Sequence, residues 1–426
     1  MTAPRRPPAP DPSGGPAPST APLRLADVLR LLERRYPPGT AEPWDVVGLV
    51  AGDPDQPVRR VLFAVDPVSV VADEALAWGA DLVVTHHPLL LRPVHSVAAT
   101  TVKGALLHRL VRGGAALYTA HTNADAATGG VADALAQALG VVDTRPLDAA
   151  PAEALDKVVV FVPVADAEHL VDALAAAGAG SLGEYSRCAW TTTGEGTFTP
   201  SHAAHPTIGA AGTVERVVEA RVEMVAPRRL RSAVIAALRA AHPYEEPAFD
   251  VLELASWPGV TGIGRVGRLE RPTTLRDFAQ TVADALPATA QGVRFAGDPD
   301  GAVERVAVVG GSGDSLFDAV RSAGADVYVT ADLRHHPASE LRERAEFEAV
   351  RRAGGAATPY LVDVAHFASE WPWLAVAARD LEQDVTAHGA TVETRVSTLR
   401  TDPWTGQATR ATLADDPATD VPEGHP

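Results

Sequence analysis

The chain has 426 residues, 46% of them apolar, a formal charge of −17 at pH 7 and one cysteine. That length leaves room for two or three domains with a sizeable core. The acidic balance excludes a nucleic-acid-binding face of clustered Lys and Arg, and the lone Cys188 excludes an intrachain disulfide framework or a thiolate metal site.

Residues 1–22 are rich in Pro, Ala and Ser and lack the apolar stretch of a signal peptide, so they read as a disordered arm. No apolar run approaches the roughly 18 residues of a membrane span. A soluble, cytoplasmic protein with no nucleic-acid or membrane partner is expected.

The first strand–helix–strand pattern runs from Arg60 to Thr85, and a second runs from Arg305 to Thr330. The two segments match without a gap at a constant offset of 245 residues, including Gly79-Ala80-Asp81 against Gly324-Ala325-Asp326. Short β-rich runs flank an Ala-rich stretch of helical period in each copy. Two related βαβ-containing halves forming one mainly parallel sheet, an α/β fold, are expected from this duplication.

Three side-chain clusters follow β-rich runs, at the carboxyl ends of strands where open α/β sheets bind ligands. His86 and His87 follow Leu82-Val83-Val84-Thr85. His121 and Asp125 follow Ala116 to Thr119, with the next helix expected near Thr128. His366 and Glu370 follow Tyr360 to Val364, with Ser369 expected to cap the helix and Glu370 to lie in its first turn. Six imidazoles and carboxylates suffice for two divalent ions, and without thiolates they suit zinc, iron, manganese or nickel. Successive residues point to opposite sides, so His86 and His87 are expected to serve different ions, with Glu370 as the bridge. A lone His-His pair in a loop is more often solvated than metallated; three clusters together reverse that balance.

Between the halves, a strand over 157–164, a helix over 168–177, a Gly-punctuated hairpin over 188–199, a strand over 214–225, a helix over 228–241 and a strand over 248–254 give a βαββαβ order. That is the ferredoxin-like plan. The expected organisation is an arm (1–22), a metal-centre first half (23–153), a ferredoxin-like insert (154–255), a second half (256–406) and an acidic disordered tail (407–426). Gly310 to Ser315 could cradle an anion or simply turn, His336 could line the pocket or lie on the surface, and His242 to Pro247 reads as a structural turn. Trp371 and Trp373 read as packing residues.

The set Thr85-His86-His87-Pro88, His121-Thr122-Asn123-Ala124-Asp125 and His366-Phe367-Ala368-Ser369-Glu370 resembles the Nif-three-like dinuclear-metal-centre proteins, whose bacterial members are commonly named GTP cyclohydrolase I type 2 homologues. Trp44-Asp45, Gly48-Leu49 and Thr330-Ala331-Asp332-Leu333 with His336 extend the match, which runs from about Leu23 to Trp404. Gly183 to Cys188, Gly194 to Phe198 and His242 to Pro247 resemble the PII- or CutA-like insert of the longer members. The sequence departs from the family pattern at Val46, His205, Ala331, Pro337 and Ala365.

The resemblance implies a homohexamer and two divalent metal ions per chain, ligated by His86, His87, Asp125, His366 and Glu370. His121 would then act in proton transfer or behind the ligands. It implies a metal-dependent hydrolase of a nucleotide or similar small molecule. In the cyclohydrolase form a metal hydroxide attacks C8 of guanine and ring opening releases formate; phosphoester hydrolysis would use the same constellation. The alternative is a non-catalytic protein that stores or delivers metal, or a regulatory scaffold with an effector-binding insert.

Overall fold

The computed structural model describes residues 23–352 and 355–408; the expected arm lies outside them, as does the tail beyond residue 408. The described chain is mixed α/β with several sheets and divides into two compact units, residues 23–148 with 261–408, and residues 149–260.

In the first unit the strands form two principal sheets instead of one. The five-stranded sheet holds Arg60–Ala64, Leu82–Thr85 and Ala116–Thr119 in parallel register, with Glu393–Val396 added parallel at one edge and Gly48–Ala51 antiparallel at the other. The six-stranded sheet centres on Ala302–Ser312, Val327–Ala331 and Tyr360–Val364, also parallel. Each copy of the repeat therefore sits in its own sheet, and each sheet borrows one edge strand from the other half: Glu393–Val396 in the first and Val141–Pro151 in the second. Both faces of the central strands are buried, which is why they read as near-continuous apolar runs rich in Val, Leu and Ala.

One core joins the two sheets. Phe63, Val84 and Tyr118 from the first sheet and Val308, Val329 and Val362 from the second pack on Leu32, Leu135, Phe278, Trp373 and Leu381 from the helices between them. Helices Ser69–Trp78 and Val102–Arg112 cover the other face of the first sheet. Helices Phe317–Ser322 and His335–Arg351 cover that of the second. The longest helix, His366–Ala387, buries Phe367, Glu370, Trp373, Leu374, Ala377, Leu381 and Val385, a stripe at spacings of three and four. Glu370 is thus a carboxylate set into an apolar stripe.

The duplication persists in the hydrogen bonds. Asp81 Oδ2 accepts the amides of Arg59 and Arg60 at 2.7 and 3.0 Å, and Asp326 Oδ2 accepts those of Glu304 and Arg305 at 3.0 and 2.7 Å. Arg60 Nη1 donates to the Trp78 carbonyl at 2.9 Å, and Arg305 Nη1 to the Gly324 carbonyl at the same distance.

In the second unit the strands order as Phe249–Glu253, Leu155–Pro163, Glu215–Pro227 and Ala189–Phe198, all antiparallel. Helices Ala167–Ala176 and Arg231–Ala241 pack on one face against Val158, Val160, Val162, Val222 and Met224. The hairpin expected within 188–199 is instead one strand. Gly194 and Gly196 do not turn the chain; the Glu219 carboxylate occupies the space a Cβ at Gly196 would take, a close approach of the kind that places Gly inside strands.

Candidate metal centre

His86, His87, His121, Asp125, His366 and Glu370 are brought to one place at the carboxyl ends of the strands. The pairing of the first sheet continues past Thr85, with His86 and His87 amides donating to Ala64 and Val65 at 3.2 and 2.9 Å. His121 precedes the short helix Thr122–Ala126, which carries Asp125; the next helix is Val131–Ala138, a few residues later than expected. The long helix begins at His366 itself, so Ser369 is not its cap. Ser369 lies one turn in, where its hydroxyl donates to the His366 carbonyl at 2.7 Å and accepts the Gly311 amide at 2.9 Å. Starting the helix at His366 stacks it directly under Glu370 at i+4.

Every imidazole is pinned through Nδ1. That of His86 lies 2.9 Å from the Ala120 carbonyl, His87 2.7 Å from Asp66, His121 3.0 Å from Asp45, and His366 2.6 Å from Asp332. A carbonyl only accepts, so His86 carries its proton on Nδ1 and turns the Nε2 lone pair inward. A ligating histidine held by an acceptor behind it has this arrangement.

Glu370 sits among the inward nitrogens. Its Oε1 is 2.9 Å from His366 Nε2 and 3.4 Å from His86 Nε2, and its Oε2 is 3.0 Å from His87 Nε2. Asp125 Oδ1 is 3.7 Å from His86 Nε2. His86 Nε2 and Glu370 Oε2 are both buried without a hydrogen-bond partner. Lone pairs facing a carboxylate across a few ångströms require a cation or protons between them, so the donors present fit a metal ion. Among the described residues, two groups have ligand atoms close enough to hold one: His86, His87 and His121, and His87, His366 and Glu370.

The electrostatics point the same way. Burial disfavours charge on His87 and His366, but the Glu370 carboxylate outweighs it, raising His87 well above its usual value and His366 to about 10. Burial would raise Glu370, yet the facing imidazoles, His87 foremost, hold it well below the usual carboxylate range. Burial lifts Asp125 to about 6, and burial with the neighbouring His86 takes His121 down to about 4. Without metal, the cluster gathers protons around one carboxylate.

Above these groups lies a cavity of about 440 Å³ lined by Asp66, His121, Gln291, Asp332, Asp402 and Trp404 among others. Thr401 hydroxyl donates to Asp66, the carboxylate behind His87. The orienting groups Asp45, Asp66, Asp332 and Thr401 had no assigned role in the sequence reading. Asp332 carried a signal, since it stands 245 residues after His87, at the matching strand exit.

Other expectations resolve differently. Gly310 and Gly311 end the strand Ala302–Ser312. Gly311 has φ +69°, and a Cβ there would come within 2.7 Å of Glu370 Oε1 and 3.0 Å of His366 Nε2. The glycines let backbone approach the ligand cluster. His335 and His336 are exposed at the start of their helix. His242 is buried, with Nε2 2.9 Å from the Phe161 carbonyl and Nδ1 accepting the Tyr244 amide, a structural turn. Trp373 is fully buried and donates to Tyr36 Oη at 3.1 Å, and Trp371 donates to the Ser397 carbonyl.

Residues 23–403 match the family model described as Duf34/NIF3 (NGG1p interacting factor 3). A Mycobacterium tuberculosis protein named GTP cyclohydrolase 1 type 2 homolog is 52% identical over 383 residues, covering 90% of this chain and 97% of its own. The crystal structure of a Bacillus cereus protein related to NIF3 superposes with a TM-score of 0.67 at 37% identity, covering 91% of this chain and all of its own. That of Staphylococcus aureus protein SA1388 gives 0.74 at 27% identity, covering 90% and 99%. The family match spans most of the chain and the fold agrees with it, and the chain belongs to the Duf34/NIF3 family.

Proposed function

We propose that this protein is a dinuclear metal hydrolase acting on a nucleotide or a related small polar molecule. The observation that carries this reading is the convergence of inward-facing imidazole nitrogens on one buried carboxylate beneath an open cavity. His86, His87, Asp125, His366 and Glu370 are assigned as ligands to two divalent ions, with Glu370 between them. When bound, such ions polarise an electrophile and lower the pKa of water toward about 7.

The chain's own residues would complete the chemistry. Asp66 and Asp332 fix the rings of His87 and His366, so the ligands need little reorganisation. His121, held through Nδ1 by Asp45 and kept neutral by burial, offers Nε2 as a proton acceptor. Gln291, Asp402 and Trp404 line the cavity where a substrate would lie. The name of the mycobacterial relative supports GTP as the first substrate to test. Homohexameric assembly and a cytoplasmic location belong to this reading; among the described helices none is long and apolar enough to cross a membrane. The strand order and helix placement of residues 149–260 support the ferredoxin-like, PII/CutA-like reading of the insert.

The test is metal analysis of the native protein with turnover assays on GTP and a nucleotide panel, run beside Glu370→Gln and His87→Ala. The expected result is about two ions per chain and turnover lost in both variants. Turnover surviving both would remove the enzymatic reading, and two bound ions without turnover on any substrate would favour metal storage or delivery.

A further inference from the structure

The unit formed by residues 149–260 has its own cavity, of about 540 Å³, within the range of small-molecule sites. It lies on the sheet face turned away from the two helices. In strand Glu215–Pro227, Ala220, Val222 and Met224 enter the helix-covered core, so the alternating residues Glu219 and Arg221 take the opposite face. Residues of the 199–214 connection and the turn after His242 also line it. Those two segments are tied together, Thr207 hydroxyl donating to the Pro243 carbonyl at 2.7 Å and the His205 amide to Glu245 Oε1 at 3.1 Å.

The lining is chiefly apolar, with Phe161, Phe198 and Tyr244 supplying aromatic rings; Phe198 and Tyr244 lie 5.9 Å apart. Its charge is one-sided. Glu219, Glu245 and Glu246 form no ion pair among the described residues. The one cationic side chain in the lining, Arg221, is engaged by Glu223 at 3.0 Å and lies over the Phe161 ring. Tyr244 Oη is buried in the cavity wall beside the Glu219 carboxylate. Burial, reinforced by the Glu219 carboxylate, pushes that phenol up to about 12. Gly196 leaves room for Glu219 to lie flat against the adjacent strand, because any side chain there would displace the carboxylate.

We propose that this cavity binds a small organic cation, a primary amine or guanidinium carried on an apolar or aromatic body, with Glu219 as its counter-ion. The cationic head would meet the unpaired carboxylates and the ring faces, whose electron-rich π surfaces attract cations. The body would cover the apolar lining. This inference stands apart from the metal centre and holds whatever that centre does.

Isothermal titration of the full chain with phenethylamine, tryptamine and agmatine tests it, with 2-phenylethanol and phenylacetate as neutral and anionic counterparts. At least one amine is expected to bind at one site per chain, ten-fold or more tighter than the alcohol or the carboxylate. Glu219→Gln should weaken that amine at least ten-fold with the circular dichroism unchanged, and Tyr244→Phe should weaken it less. His87→Ala should leave it unaltered. No binding by any amine at millimolar concentration, equal binding of the anion, or an amine affinity sensitive to His87→Ala and not to Glu219→Gln would each overturn the assignment.

Discussion

The segments ending at His87 and at Asp332 share a backbone plan and part company at their last residues. Both place a strand, a helix and a parallel strand in the same frame, and both hold the loop before the second strand with an aspartate that accepts two backbone amides. At the first exit, His86 and His87 turn ring nitrogens toward Glu370. At the second, Ala331 is fully buried and Asp332, in a left-handed conformation at φ 54°, reaches the far nitrogen of His366. A repeated scaffold thus carries two jobs: one copy presents donors to the centre and the other steadies a donor contributed from elsewhere. The repeat supplies the frame, and the two positions at its end, His86-His87 against Ala331-Asp332, separate ligand from support.

The largest expected effect is at the residue both exits serve. Glu370→Gln should lose most of the bound metal, read by elemental analysis after gel filtration, because three imidazoles then face a neutral amide. Retention of full stoichiometry would show that the centre does not depend on this carboxylate.

Next come the supports. Asp332→Asn and Asp66→Asn should each weaken metal binding by about 10–100-fold, measured by competition with a chromophoric chelator. Thr401→Val, acting on Asp66, should have a smaller effect of the same sign, with Thr401→Ser restoring affinity. If Asp332 only braced the fold, its variant would lower the melting temperature and leave affinity alone.

Proton release sharpens the electrostatic side. In the metal-free protein the folded pKa of His366 is raised to about 10, so at neutral pH the ring holds a proton that metal must displace. The sign follows: affinity should fall as pH falls. Titrations at pH 7 in buffers of different ionisation enthalpy should give heats that scale with that enthalpy.

The smallest effect tests equivalence itself. Asp81→Asn and Asp326→Asn each weaken a carboxylate that accepts two amides and should each cost about 1 kcal/mol by denaturant unfolding, leaving metal content unchanged. Unequal costs would mean that the two frames match in shape and not in energy.

Much of the site is legible in the sequence. The six donors each follow a β-rich run, and strands carry their carboxyl-end residues toward a common edge. What could not be read was the set of groups behind them. Asp66, Asp45 and Thr401 are ordinary polar residues at ordinary spacing; only packing across 21, 76 and 335 residues of sequence brings them to His87, His121 and Asp66. The Gly194 and Gly196 pair misled for a related reason. Glycine opens a turn or admits a neighbour with equal ease, and the neighbour, Glu219, sits on another strand.

The sequence by itself determined the local grammar: the duplicated strand–helix–strand frame, the helical stripe that carries Glu370, and the donor chemistry suited to a divalent ion without thiolates. Periodicity and side-chain identity are properties of neighbouring residues, and these follow from them. The tertiary structure alone decided that the halves build two sheets around a shared helical layer, that the long helix starts at His366, and that each imidazole is locked from behind. Those outcomes depend on which distant groups meet, and the acceptor behind each ring sets which nitrogen keeps its proton and which is left to face a cation.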